Sequence, residues 1–116
     1  MGDEDRLQEV TPGSPRFAVI YRWRLRPGTE AAFRDAWAEV TAAIRRDRGG
    51  LGSRLHRADD GSWLAYAQWP DRASWETAQS LPSADAIASS AMTRCIMERL
   101  PPILLETVAD LLVGQT

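Results

Sequence analysis

The chain has no lysine and no asparagine, and it carries a single histidine, His56, and a single cysteine, Cys95. Each shortage removes a class of chemistry. Without lysine there is no Schiff-base nucleophile, and without asparagine no asparagine-dependent oxyanion hole or oxygen-activating amide. One cysteine can form neither an intrachain disulfide nor a cysteine cluster for zinc, which points to a reducing, cytoplasmic setting. Long apolar runs are also missing. The longest, from Pro101 to Val113, is interrupted by Glu106 and Asp110 and is too short to span a bilayer, so no membrane partner is expected. The opening residues Met1-Gly2-Asp3-Glu4-Asp5 lack the apolar stretch of a secretory signal. No phosphate-binding glycine loop, HExxH pair or Ser-His-Asp order is found, so the reading calls for no metal, flavin or nicotinamide cofactor.

Charge is equally plain. All fourteen basic residues are arginine, and the net charge is −2. Most of the imbalance lies in residues 1–15, where Asp3, Glu4, Asp5 and Glu9 face only Arg6. The remainder is close to neutral and offers no electrostatic footprint for nucleic acid. Residues 1–15, polar and punctuated by Pro12, Gly13 and Pro15, read as a flexible acidic tail. Residues 16–116 read as one domain. A chain of 116 residues can bury a genuine core without disulfide or metal staples.

The patterns sharpen from Phe17 onward. Phe17, Val19, Tyr21, Trp23 and Leu25 alternate with Ala18, Ile20, Arg22, Arg24 and Arg26, a period-two strand with one apolar-aromatic face and one face turning basic. Pro27-Gly28 ends it. Thr29 then caps a helix in which Phe33, Ala36, Trp37, Val40 and Ile44 recur at helical spacing; Arg45, Arg46 and Arg48 suit the negative end of its dipole, and Gly49-Gly50 stops it. Two strands follow, Leu51 to Ala58 and Ser62 to Trp69, joined by the hairpin signal Asp59-Asp60-Gly61. Asp71 opens a short helix, and Ser83 caps another from about Ala84 to Arg99. Pro101-Pro102 stops it, and Ile103 to Val113 reads as the last strand.

The order is βαββαβ. Such a chain is an α+β, ferredoxin-like domain: a four-stranded antiparallel sheet with its helices on one face. The other face would hold Arg22, Arg24, Arg54, His56, Leu64, Tyr66, Gln68, Leu104, Glu106 and Val108, too apolar for water and too charged for a monomer core. A second copy would cover it, so a two-fold homodimer is expected. Its interface candidates are Arg22, Arg24, His56, Tyr66, Gln68, Glu106, Val108 and Asp110, with Arg22 and Arg24 pairing Glu106 and Asp110 within or across subunits.

The stretch from Phe17 to about Trp75 resembles the antibiotic-biosynthesis-monooxygenase family. The likeness rests on the first strand running into Arg26-Pro27-Gly28, the aromatic amphipathic helix, Gly50-Leu51-Gly52-Ser53 entering the hairpin, and Ala67-Gln68-Trp69-Pro70-Asp71 leaving it. The last helix and strand fit the family's layout with less specific sequence. The resemblance implies a dimeric α+β barrel with a ligand pocket between helices and sheet. It also implies either cofactor-independent oxygenation of an aromatic, polyphenolic small molecule, or the same fold without catalysis. The first-strand position at which haem-degrading members carry a functional asparagine is Tyr21 here. Their tryptophan at the end of the third strand has its counterpart in Trp69, and their haem-ligating histidine has none.

Tyr21, Trp23 and Trp69, with Met92, Cys95 and Ile96, are the candidate pocket residues, and Tyr21 and Trp69 are the best catalytic candidates. Oxygenation without a cofactor requires the substrate itself to supply the electron to O₂. The protein's part is to bind the anion, exclude water and handle a proton. The competing assignment makes the same aromatics plain core, and the chain is then a ligand-binding or structural dimer.

Overall fold

The computed structural model describes residues 17–112, so the acidic tail expected over residues 1–15 lies outside the described residues. Strand β1 (Phe17–Leu25) leads into helix α1 (Glu30–Arg48), then β2 (Ser53–Arg57) and β3 (Trp63–Trp69). Two short helices follow, α2 (Arg72–Gln79) and α3 (Ala86–Cys95), before β4 (Ile96–Glu106). The sheet is four-stranded in the order β2-β3-β1-β4, and every neighbouring pair is antiparallel. This is the α+β, ferredoxin-like architecture expected from the element order, with the second helix broken in two.

The alternation of β1 sorts its side chains between two environments. Phe17, Val19 and Trp23 are buried under the helices, in two clusters. Trp23 joins Phe33, Ala65, Cys95 and Ile96 in one, while Phe17 and Val19 join Ala67 and Trp69 in the other. Tyr21 packs against both clusters. Edge-to-face contacts run from Trp23 to Phe33 (5.1 Å) and from Phe33 to Trp63 (6.1 Å), geometries that match positive ring edges to negative faces.

Helix ends follow local chemistry with two departures. Asp71 accepts a hydrogen bond from the Ser74 amide at 2.7 Å and so caps α2. The cap of α3 is Asp85, accepting from the Ala88 amide at 2.9 Å, rather than Ser83, whose hydroxyl instead accepts from the Asp85 amide. Thr29 precedes α1 without capping it by its side chain; its hydroxyl donates back to the Arg26 carbonyl at 2.6 Å. Gly49 ends α1 at a φ of 83°, a conformation only glycine adopts freely.

The largest correction concerns the last strand. It begins at Ile96, directly after Cys95, and runs through Pro101 and Pro102 instead of starting beyond them. Two conditions permit this. β4 is an edge strand, where a missing amide need not interrupt the sheet. The register also slips at the prolines: Arg22 faces Leu100 and Ile20 faces Ile103, so Pro101 and Pro102 together oppose Tyr21 as a bulge. The slip changes which residues share a face. Leu104 and Glu106 stand beside Val19 and Phe17 on the helix-covered side, while Ile103 and Leu105 stand beside Ile20 and Ala18 on the open side. Within the protomer, the described ion pairs of Arg24 lie at the other end of β4 and in the hairpin. Arg24 lies 3.8 Å from Glu98, its register partner, and 3.8 Å from Asp60 of the hairpin. Val108 and Asp110 lie beyond the end of β4 and are exposed.

Candidate functional site

A cavity of about 340 Å³ opens between the sheet and the helices. Its existence follows from side-chain size along β3 and the segment before β2. The helix-facing positions between Trp63 and Trp69 are only Ala65 and Ala67, and the chain entering the hairpin contributes Gly50 and Gly52. Large residues stand around that shallow floor: Tyr21 and Trp23 from β1, Trp37 and Ile44 from α1, Trp69 from the end of β3, and Met92 from α3. Residues 81–84, between α2 and α3, form part of the rim. Small residues below and rigid aromatics at the sides leave a slot suited to a flat molecule.

Two polar groups in this wall belong to aromatic rings. The Tyr21 oxygen accepts a hydrogen bond from the Trp75 indole N–H at 2.9 Å. That leaves the tyrosine's own O–H proton as a donor. Burial pushes the Tyr21 pKa above its usual 10.0, while the Trp75 bond and the nearby Gln79 amide pull the other way. The balance keeps the phenol protonated at neutral pH. The second group is the Trp69 indole N–H, which is buried and has no hydrogen-bond partner among the described residues. A buried donor without an acceptor costs roughly 1–3 kcal/mol, and this nitrogen has essentially no surface open to the cavity, so what Trp69 presents to the slot is its ring.

Of the sequence-derived pocket residues, the structure brings Tyr21, Trp23, Trp69 and Met92 to the cavity wall. Cys95 and Ile96 do not line it; they are buried beneath Trp23 in the first cluster. The Cys95 thiol donates to the Ala91 carbonyl at 3.5 Å, the ordinary bond of a cysteine to the turn before it, here at the last residue of α3. Sequence reasoning missed Trp37, Gln79, Arg48 and Arg99, all of which line the cavity, and Trp75, which fixes Tyr21. Trp37 was legible only as part of a helical stripe. The Pro101-Pro102 stop assigns Arg99 to a helix on sequence grounds, whereas the register sets it opposite Trp23 on the helix-facing side.

On the open side of the sheet, Arg22, Arg24, His56, Tyr66 and Gln68 share one face, by their register with Leu64, Leu100 and one another. The Arg22 Nε is buried there without a partner among the described residues. His56 is exposed on this face, away from the cavity. Among the described residues no three metal-binding side chains converge, and no helix is long and apolar enough to cross a membrane.

The family model for antibiotic biosynthesis monooxygenases matches residues 16–89, well over half of the sequence. The chain belongs to that family. Solved structures agree at the level of the fold. SnoaB, a cofactor-independent oxygenase from Streptomyces nogalater, superposes with a TM-score of 0.66 at 20% identity, over 87% of this chain and 100% of SnoaB. A protein from Bordetella bronchiseptica, described as of the same monooxygenase kind, gives 0.66 at 20% identity, covering 84% of this chain and 100% of its own. Rv0793 from Mycobacterium tuberculosis gives 0.63 at 18% identity, over 84% and 98%. No curated protein sequence matches the chain.

Proposed function

We propose that this family member is a cofactor-independent monooxygenase acting on a flat aromatic or polyphenolic small molecule, working in the cytoplasm as a two-fold dimer. The observation that carries the reading is the cavity of about 340 Å³ itself, walled by Tyr21, Trp23, Trp37 and Trp69 over a floor of alanine and glycine. Family membership and the shared fold with SnoaB add support.

In this reading the substrate enters as an ionised phenol. Its ring carbon gives one electron to O₂, and the radical pair recombines as a carbon-bound peroxide. The peroxide takes up a proton and loses water, so the ring C–H becomes C=O and a quinone forms, while one O₂ is consumed and one H₂O released. The chain supplies orientation, water exclusion and a proton donor. Tyr21, with its oxygen already engaged by Trp75, is the donor best placed to serve the peroxide. Trp69 contributes the face of its ring to the wall that orients the substrate.

The test is O₂ consumption, with a metal chelator present, across hydroquinones and polycyclic phenols. Uptake that requires the protein and falls by about tenfold or more in Tyr21→Phe or Trp69→Phe is the expected result, the size being that of a lost general-acid or orienting contact. Uptake unaffected by both substitutions would refute the assignment of the site. The dimer is supported by the half-apolar open face of the sheet. A stable monomer at micromolar concentration in sedimentation would overturn that part.

A further inference from the structure

One side of the cavity mouth is built from the most lightly anchored of the three helices. Helices α1 and α3 are fixed by buried side chains, Phe33, Ala36 and Ala43 in the first, Ala88 and Cys95 in the second. Helix α2 has no buried residue, and residues 80–85 beyond it form neither helix nor strand. Yet this stretch gives the cavity wall Ala78, Gln79 and residues 81–84. A segment with few buried apolar contacts opens at far lower cost than the whole domain unfolds.

The holds on this stretch are few. Towards its start, the half-buried Trp75 ring meets Phe17 at 5.7 Å, and its indole N–H donates to the Tyr21 oxygen at 2.9 Å. Ala78 packs against the second core cluster. Past the end of α2, the Arg48 guanidinium reaches from α1 to the Pro82 carbonyl at 3.0 Å. The first hydrogen bond therefore ties the cover of the cavity to Tyr21, the side chain assigned as its proton donor. While that bond is made, the Tyr21 oxygen is occupied from the α2 side and its O–H proton is left for the slot.

We propose that residues 71–85 are a gate on the cavity, latched by Trp75 on Tyr21 and by Arg48 on Pro82, so that shutting the gate over a ligand and setting the Tyr21 donor are one event. Lifting the gate admits the ligand and water together and frees the Tyr21 oxygen. Closing it excludes water and restores the Trp75 bond before proton transfer. This rests on the reading of the cavity as an aromatic-ligand site, and adds to it the route of entry and the order of events.

The test is hydrogen exchange by NMR on the full chain, in wild type, Trp75→Phe and Arg48→Met, each with and without 2-naphthol. Without the probe, wild-type amides 75–81 should be about tenfold or more less protected than those in the middle of α1. The Trp75 indole N–H should exchange in step with them. Each variant should speed amides 75–81 by roughly three- to tenfold, the worth of one hydrogen bond, and leave α1 and β1 unchanged. Trp75→Phe keeps a ring beside Phe17, so its effect reads the lost N–H. In wild type, 2-naphthol should slow amides 75–81 and the indole N–H alike. Protection of 75–81 equal to that of α1 would overturn the gate and leave the aromatic slot standing. So would variants without effect, or variants whose effect spreads equally to α1 and β1. Bound 2-naphthol that slows the amides but not the indole N–H would overturn the coupling to Tyr21, and bound 2-naphthol that slows neither would overturn the gate. If 2-naphthol moves no resonance, the slot reading fails and this inference with it. Should Trp75→Phe fail to fold by circular dichroism, Arg48→Met together with the wild-type indole N–H decides the matter.

Discussion

Gly50 is the position where the structure leaves least room, and Gly50→Ala is the perturbation that tests the packing around the cavity. A Cβ at residue 50 would lie 2.7 Å from the Ile44 Cγ2, and 3.6 and 3.7 Å from the Trp69 ring atoms Cη2 and Cζ2. Carbon atoms rest at roughly 3.5–4.0 Å, so the indole contacts are ordinary and the Ile44 contact is not. Ile44 would have to withdraw by about 1 Å to restore that spacing. It cannot do so freely, because a β-branched side chain in a helix has essentially one χ1 rotamer.

The φ of Gly50 is outside the left-handed region, so backbone strain does not enter. Replacing glycine by alanine at a compatible position stabilises by about 0.4–1 kcal/mol through the unfolded chain. Overpacking a fitted site costs about 1–3 kcal/mol. The net expectation is a loss of roughly 1–2 kcal/mol, read as a lower urea midpoint at unchanged m-value. A double-mutant cycle identifies the cause. Ile44→Ala removes the obstructing methyl, so the two changes together should cost less than the sum of their separate effects. A neutral Gly50→Ala, or strict additivity with Ile44→Ala, would refute the reasoning.

Other expectations follow from individual contacts. Trp75→Phe removes the indole N–H that favours ionised Tyr21, so the Tyr21 pKa should move still further up. A tyrosinate absorbance titration in a Tyr66→Phe background isolates the signal, since the chain has two tyrosines; a downward or absent shift would contradict the proposed bond. The sign for stability follows from the same group. With its folded pKa above the unfolded 10.0, Tyr21 contributes stability that is complete below about pH 10 and is lost as pH rises through the folded value. Alkaline denaturation of wild type and Trp75→Phe checks the direction, the variant losing this contribution at higher pH. Asp85→Ala should cost about 1 kcal/mol in urea unfolding through loss of the α3 cap, whereas Asp85→Asn should cost little.

Much of the fold was legible because single local rules acted without opposition. The alternation in β1, the helical stripe of α1 with its arginine-rich end and Gly49, and the Asp59-Asp60-Gly61 hairpin all stand where those rules place them. The errors cluster where tertiary context overruled a local signal. Pro101-Pro102 is a helix stop in an isolated chain, yet at a sheet edge it is tolerated as a bulge, and the resulting slip reversed the faces of Leu104 and Glu106. The same slip hid Arg99. The site was legible in its rings, Tyr21, Trp23 and Trp69, because a strand's alternation alone puts them on one face. Its arginines were not, since whether a cation meets a carboxylate or a cavity is settled by contacts distant in sequence.

The prolines of β4 also govern how this protein can associate. A sheet can grow without limit through its edges, each added strand exposing a fresh row of amides and carbonyls. Here one edge is a strand of only five residues, and the other is broken by two consecutive residues that have no amide hydrogen. Growth along the ladder is thereby discouraged at both ends. What remains available is the broad side of the sheet, and two broad sides that cover each other leave nothing for a third. Association through such a surface saturates at a small, closed assembly instead of running on into fibres.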